Sequence, residues 1–383
     1  MEIFQPLGPA MLADPYPVYA ELRRHDPIHW HEQFNVYVLT RYHECDRVLQ
    51  DWKTFASDSR GSDEEVPEEF RRVQSLQLLD PPDHSAVRQI LLAALKGVDF
   101  HAWLADVRVS VDELLSTVGE SEFDFVTEFA EPLTARSLCS LFGLPLLEDE
   151  KTFLTAQRDV VISMDFDLAP ELEPVGVRSR AYLSGLIESW AVQPPADSLL
   201  SRVDFAAAGE LLPFLINSLR AIMVAGFAVT SSMLGNATRA LVEHGFFGGE
   251  EAPVVTTTMI NELIRHVGPV QTSRRTVVED VQLGEHLLTR SDVVVIVLGA
   301  ANRDPSVFEA PDQLRLGRDP NPHLGFGGGI HSCAGGRLAL HLLSTVLGSL
   351  ANTYQIELTG EPVQRPTAML RGVDRLPLRL RIR

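Results

Sequence analysis

The residue best placed to do chemistry is Cys333, in the string Phe326-Gly-Gly-Gly-Ile-His-Ser-Cys-Ala-Gly335. Glycines let a backbone turn tightly and approach a flat ligand closely. The run Arg337-Leu-Ala-Leu-His-Leu-Leu that follows reads as a helix. A sulfur near a helix start meets unpaired N–H groups and the positive end of the dipole, which stabilise a thiolate. Such a thiolate suits the axial position on a haem iron. A lone cysteine is more often a packing residue. Here the aromatic, histidine and glycine neighbours favour a ligand over packing.

The spacing F-G-x-G-x-H-x-C-x-G-x-x-L-A, carried by Phe326, His331, Cys333, Gly335, Leu338 and Ala339, resembles the haem-binding signature of the cytochrome P450 family. The resemblance implies haem b with Cys333 as its thiolate ligand and Phe326 packed beside the sulfur. Backbone N–H groups after Cys333 should then bond to the sulfur and tune its electron donation. The two haem propionates need cationic or hydrogen-bonding partners when buried. His84 and Arg88 stand four residues apart after Asp80-Pro-Pro-Asp83 and share one helix face. With Arg275 and His331 they match family positions for that task. Arg274 is not assigned to it.

Glu262-Leu-Ile-Arg265 is an E-x-x-R string, upstream of Ala301-Asn-Arg-Asp-Pro305. Residues three apart on a helix face one another. The family pattern adds Arg318 as a third partner. Glu262, Arg265 and Arg318 are therefore expected to hold structure and retain the haem, not to do chemistry.

The helix expected across the distal face of the haem departs from the family. Ala225-Gly226-Phe227-Ala228-Val229-Thr230 stands where A-G-x-[D/E]-T is usual. Gly226 matches the point where that helix opens for dioxygen. Ala228 replaces the acid and Val229 the alcohol, and neither can donate or relay a proton. Thr230 lies about 100° further round a regular helix, and only a local bulge would swing it inward. Three outcomes stay open: substrate or ordered water replaces the relay, peroxide is the oxidant, or the haem catalyses coupling, ring formation or rearrangement. Phe227, Val270, Gln271, Ala368 and Met369 lie at positions that often line the pocket, and a largely apolar lining suits a hydrophobic or aromatic substrate.

The elements that must position these residues are mostly helical. Asp14–Arg23 reads as a proline-initiated helix, His29-Trp30 and Val36–Thr40 as a strand pair, and Arg41–Gln50 as a helix. The acidic stretch 58–69 reads as a loop or short helix. Helical periodicity runs over about 85–265, broken at Gly119, at Gly143-Leu-Pro145 and at Gln193–Ala196, and again over about 333–353. Strands are expected at about 28–40, 277–298 and 356–383. The fold class is thus mainly α with small β-sheets, read as one P450-like domain over 1–383. The resemblance runs from about Asp14 to Arg383 and is nearest to the soluble bacterial branch.

A net charge of −19 disfavours nucleic acid and anionic membranes as partners. The three cysteines, Cys45, Cys139 and Cys333, are too sparse for a disulfide framework and point to a reducing compartment. Cys45 and Cys139 read as packing residues, and His341 and Leu342 as ordinary helix residues. Gly325–Gly329 is not followed by the Lys-Ser/Thr of a phosphate loop, and no H-E-x-x-H string occurs. The N-terminus is neither a signal peptide nor an anchor. Apolar runs such as Val293–Leu298 fall short of a bilayer span, so a cytoplasmic protein is expected. The resemblance implies a monooxygenase acting on a small molecule in natural-product biosynthesis. Its electrons would come from NAD(P)H through a ferredoxin and ferredoxin reductase, and its substrate is either free or presented by a carrier protein. A haem enzyme of atypical chemistry and a non-catalytic binding module are the alternatives.

Overall fold

Helix ends fall where short side chains and special residues satisfy the backbone. The computed structural model describes residues 3–58, 74–144, 150–165 and 168–383. The expected loop at 59–69 and Pro145 lie outside them. The main helices are α1 (Tyr16–His25), α2 (Tyr42–Gln50), α3 (Asp83–Lys96), α4 (Phe100–Val118), α5 (Glu131–Phe142), α6 (Glu150–Ile162), α7 (Glu173–Val192), α8 (Leu212–Glu243), α9 (Thr257–Val267) and α10 (Gly336–Thr353). Asp99 caps α4 by accepting from the N–H groups of His101 and Ala102. Gly143 ends α5 at φ 70°, a left-handed conformation that favours glycine.

Strands β1 (Ile28–His31), β2 (Val36–Leu39), β3 (Phe55–Ala56), β4 (Phe123–Asp124), β5 (Thr272–Val277), β6 (Val281–Leu283), β7 (His286–Leu288), β8 (Val293–Val297), β9 (Tyr354–Leu358), β10 (Val363–Gln364), β11 (Val373–Arg375) and β12 (Pro377–Ile382) complete the fold. The largest sheet has the order β1-β2-β8-β5-β3. β2 pairs parallel with β8, Val36 opposite Val293, so the N-terminal hairpin joins a strand more than 250 residues away. β4, β12 and β9 form a second sheet. The mainly helical class with small sheets is the one expected.

Three boundaries differ from the sequence reading. β5 starts at Thr272, not at about 277, because pairing with β8 holds a segment whose Arg274-Arg275 conceals its strand character. α10 begins at Gly336, which leaves Cys333 in the preceding loop. Phe123-Asp124 forms a short strand inside the helical region.

Among the described residues, one stretch, Phe205–Glu243, is long and apolar enough to cross a membrane. Scanning for uninterrupted apolar runs misses it, because Asn217, Ser218 and Arg220 divide it. In this fold sixteen of the 32 residues of α8 are buried, and α8 packs against α5, α6, α7 and α9. It is a core helix. The main core gathers Phe125, Phe129, Phe142, Phe153, Leu219, Phe227 and Val346 from the helices around it.

The polar framework centres on Glu262, whose side chain is fully buried. Its Oε2 accepts from Arg265 Nε at 2.7 Å and from Arg318 Nε at 2.9 Å. Its Oε1 accepts from Arg265 Nη2 and the Arg315 N–H, each at 2.8 Å. Burial pushes the Glu262 pKa up, but Arg265, the Arg315 N–H and Arg318 outweigh it and hold the carboxyl below its usual range. A carboxyl so depressed stabilises the fold above its unfolded pKa, and acid removes that stability. Glu262→Gln should leave two buried guanidiniums poorly paired and cost about 3–5 kcal/mol. Urea denaturation at neutral pH checks this, and stability within 1 kcal/mol (about fivefold in the folding constant) would contradict it.

Candidate haem-binding site

The glycine-rich loop is shaped by contacts that leave no room for side chains. Gly327 and Gly329 have φ of 67° and 61°, and a Cβ on Gly329 would stand 2.4 Å from the Leu49 carbonyl at the end of α2. The Cys333 N–H donates to the Phe326 carbonyl at 2.9 Å, which sets the phenyl-bearing residue beside the cysteine. Cys333 is exposed, whereas Cys45 and Cys139 are buried. Burial pushes the Cys139 thiol up to about 11. Surrounding protein raises the Cys333 thiol too, but the Gly335 N–H bonds to it and Arg88 adds positive potential, both favouring thiolate. A Cβ at Gly335 would meet nothing within 4 Å, so the space at that residue is open.

Pro82 precedes α3, which carries His84 and Arg88 toward this loop. The His84 and His331 rings lie 4.5 Å apart. Arg88 Nη2 donates to the Ser332 carbonyl at 2.9 Å. Arg275, on β5, is 6% exposed. Its Nη1 donates to Ser273 Oγ and to the Arg274 carbonyl, and no carboxylate pairs with it among the described residues. Burial lowers the pKa of Arg275, opposed by Asp80. Burial also lowers His84 to about 4, aided by His331 and Arg88.

Sequence reasoning gave Asp80 no role, yet it sits among these groups. Its Oδ1 pairs with His331 Nε2 at 2.9 Å, and its Oδ2 accepts the N–H groups of Ser57 and Asp58. The available signal was its place in Asp80-Pro-Pro-Asp-His84, three positions before a helix start.

These residues fit a haem. Both ring nitrogens of His84 are buried without a hydrogen-bond partner, and Arg275 is a buried cation with no carboxylate in a salt bridge to it among the described residues. Buried polar groups are rarely left so, and two propionates would satisfy them. Cys333, exposed in this loop, would supply the iron ligand.

On the opposite side, α8 runs unbroken as α-helix through Ala225, Gly226 and Thr230. The helix shows no break at Gly226, which is half-buried, and a Cβ there would stand 2.9 Å from the tip of Leu138. The regular helix does not swing Thr230 inward. Ala228 is fully buried and packs in an apolar cluster with Val161 and Leu370, flanked by Met164, Val229 and Val270.

The expected pocket residues divide. Val270 bridges Leu370 and joins that cluster. Ala368 and Met369 precede Leu370 and are half-buried. Gln271 turns away: its Nε2 donates to the Gly268 carbonyl, and its Oε1 occupies the space beside Gly299 and Tyr19. Strand-like alternation puts Val270 and Gln271 on opposite sides. Phe227 is 1% exposed in the main core. It borders a cavity of about 250 Å³ that Val161 and Ile162 also line, together with the charged groups of Glu131, Arg158, Arg365 and Asp374.

Comparison with known proteins agrees with this geometry. Residues 253–380 match the family model described as Cytochrome P450. The chain is 30% identical to Cytochrome p450 CYP199A2 of Rhodopseudomonas palustris over 96% of this chain and 91% of that one. It is 28% identical to the Polyketide biosynthesis cytochrome P450 PksS of Bacillus subtilis, covering 99% and 98%. The crystal structure of CalO2 superposes with a TM-score of 0.85 at 27% identity, covering 99% of both chains. With a glycine-cradled cysteine, basic groups gathered beside its loop and full-length relatives of one kind, the chain belongs to the cytochrome P450 family.

Proposed function

We propose that this protein is a haem b monooxygenase, with Cys333 as the iron's thiolate ligand, that oxidises a small, largely apolar molecule in a biosynthetic pathway. The observation that carries the reading is the exposed Cys333, whose sulfur the Gly335 N–H bonds, together with the unsatisfied ring nitrogens of His84 and the buried guanidinium of Arg275. A thiolate-ligated haem supplies oxidative chemistry, because the sulfur pushes electron density toward the iron. The chain's own residues hold, orient and enclose. His84, Arg88, Arg275 and His331 would bind the propionates, and Phe326 would shield the sulfur. Val161, Val229, Val270 and Leu370 would exclude water from the distal side. The relative named for polyketide biosynthesis supports a natural-product intermediate as substrate, free or carrier-bound. The chain carries no flavin or iron–sulfur motif, which supports electron delivery from NAD(P)H by a ferredoxin and its reductase. The site of action would be the cytoplasm.

A second reading, atypical chemistry driven by peroxide or ending in coupling or rearrangement, is favoured by one observation. Ala228 and Val229 offer no proton and lie in apolar packing on an unbroken helix. Under the first reading, water or substrate must bring the protons.

Three measurements follow. Dithionite-reduced protein under carbon monoxide should show the strongly red-shifted Soret band of a thiolate-ligated haem, and Cys333→Ser should abolish it while helical circular dichroism persists. A haem-loaded wild type without the band would refute the assignment. Arg275→Leu removes a charged hydrogen-bond partner worth about 1.5–3 kcal/mol, so haem affinity should fall roughly 10- to 150-fold. An unchanged haem-to-protein ratio on dilution would contradict that role. Finally, the double variant Ala228→Asp, Val229→Thr should raise oxygen-dependent turnover at least tenfold with the same product, within the range of general acid–base effects. No gain, with peroxide-driven turnover retained, would favour the second reading.

A further inference from the structure

The end of α6 carries a buried carboxylate with an unusual set of partners. Asp165 closes the short turn Ser163–Asp165 and is 1% exposed. No cation pairs with it among the described residues. Its Oδ2 accepts the Ala368 N–H at 2.7 Å, and its Oδ1 accepts the Met369 N–H at 2.9 Å. Burying an ionised carboxylate is costly unless hydrogen bonds compensate, and these two N–H groups supply that compensation. Burial raises the Asp165 pKa, and the same two N–H groups draw it down.

The two segments joined by Asp165 are opposite parts of one apolar wall. On one side, Val161 and Met164 stand four residues and one residue before the carboxylate. On the other, Leu370 immediately follows the two gripped N–H groups. Val161 and Leu370 pack against Ala228, with Met164, Val229 and Val270 alongside. The Met369 carbonyl accepts the Gln271 N–H at 2.9 Å, so the turn is also tied to the segment carrying Val270. Apolar contacts are non-directional and slide. Two charge-assisted hydrogen bonds from one carboxylate fix a distance and a direction.

We infer that Asp165 is a positioning residue for substrate: by gripping Ala368 and Met369 it sets the spacing of the apolar wall over Ala228 and Val229, and so which shapes fit and how long they stay. The inference rests on the haem-thiolate reading. Asparagine keeps the size but replaces one acceptor with a donor that faces an N–H group. Glutamate keeps both acceptors on a longer arm.

The test compares wild type, Asp165→Asn and Asp165→Glu as haem-loaded full-length protein, with imidazole and 4-phenylimidazole as probes. Imidazole carries no group to reach the wall, whereas a phenyl ring would pack against it. Asp165→Asn should speed release of 4-phenylimidazole at least tenfold by stopped-flow absorbance, leave release of imidazole unchanged, and keep the reduced carbon monoxide band. Asp165→Glu should recover part of the slow release. Hydrogen exchange, read also on the haem-free protein, should quicken at the amides of Ala368 and Met369 in Asp165→Asn. Unchanged release of both azoles under an intact band would overturn the inference alone, as would unchanged exchange at those amides. A wild type without the band would overturn the haem reading, and the substrate role with it.

Discussion

The buried Glu262 carboxylate is the constraint on which the proximal side depends. Through Arg265 it fixes α9 against the carbonyls of Asn302, Pro311 and Gln313. Through Arg318 it fixes the carbonyls of Glu309 and Ala310. Asn321 donates to the same carboxylate, and Asn302 Oδ1 accepts the Leu324 N–H two residues before Phe326. Irregular chain between β8 and α10 thereby gains partners for polar groups that a regular ladder would otherwise satisfy. The cysteine loop can be glycine-rich and still hold one shape because both its approach and its contact with Leu49 are fixed.

Charge is arranged differently on the two faces of the proposed haem plane. The proximal and propionate side collects His84, Arg88, Arg275 and His331 around the single carboxylate of Asp80. Positive groups exceed negative ones there, which suits a dianionic ligand. The side around Ala228, distal in the proposed arrangement, is apolar, and Asp165, next in sequence to Met164 of that cluster, uses both oxygens on backbone N–H groups. Chemistry that needs protons on the distal face must therefore draw them from water or from what is bound.

Much of the fold was legible because helical periodicity and turn residues act locally. α1, the β1–β2 hairpin, α2 and the breaks at Gly119 and Gly143 lie where proline, glycine and apolar spacing put them. β5 was only partly legible, since two arginines interrupt its strand pattern and its pairing with β8 supplies what the string lacks. The apolar length of α8 was hidden by Arg220 and its polar neighbours. Within the proposed site, the candidates stand in contiguous motifs that a string displays. No string displays the packing of Gln271, because which side of an extended segment turns inward depends on what packs behind it, here Gly299 and Tyr19.

The sequence alone determined the kind of site: a cysteine among glycines, an E-x-x-R pair, basic residues at spaced positions, and a distal helix without its acid and alcohol. Those features are short strings whose chemistry is intrinsic to the residues. The tertiary structure decided which of them meet. Asp80 reaches His331 across 251 positions, and Asp165 reaches Ala368 across 203. Such pairings arise only when chain folding overcomes the entropy of bringing distant segments together, so no local pattern announces them.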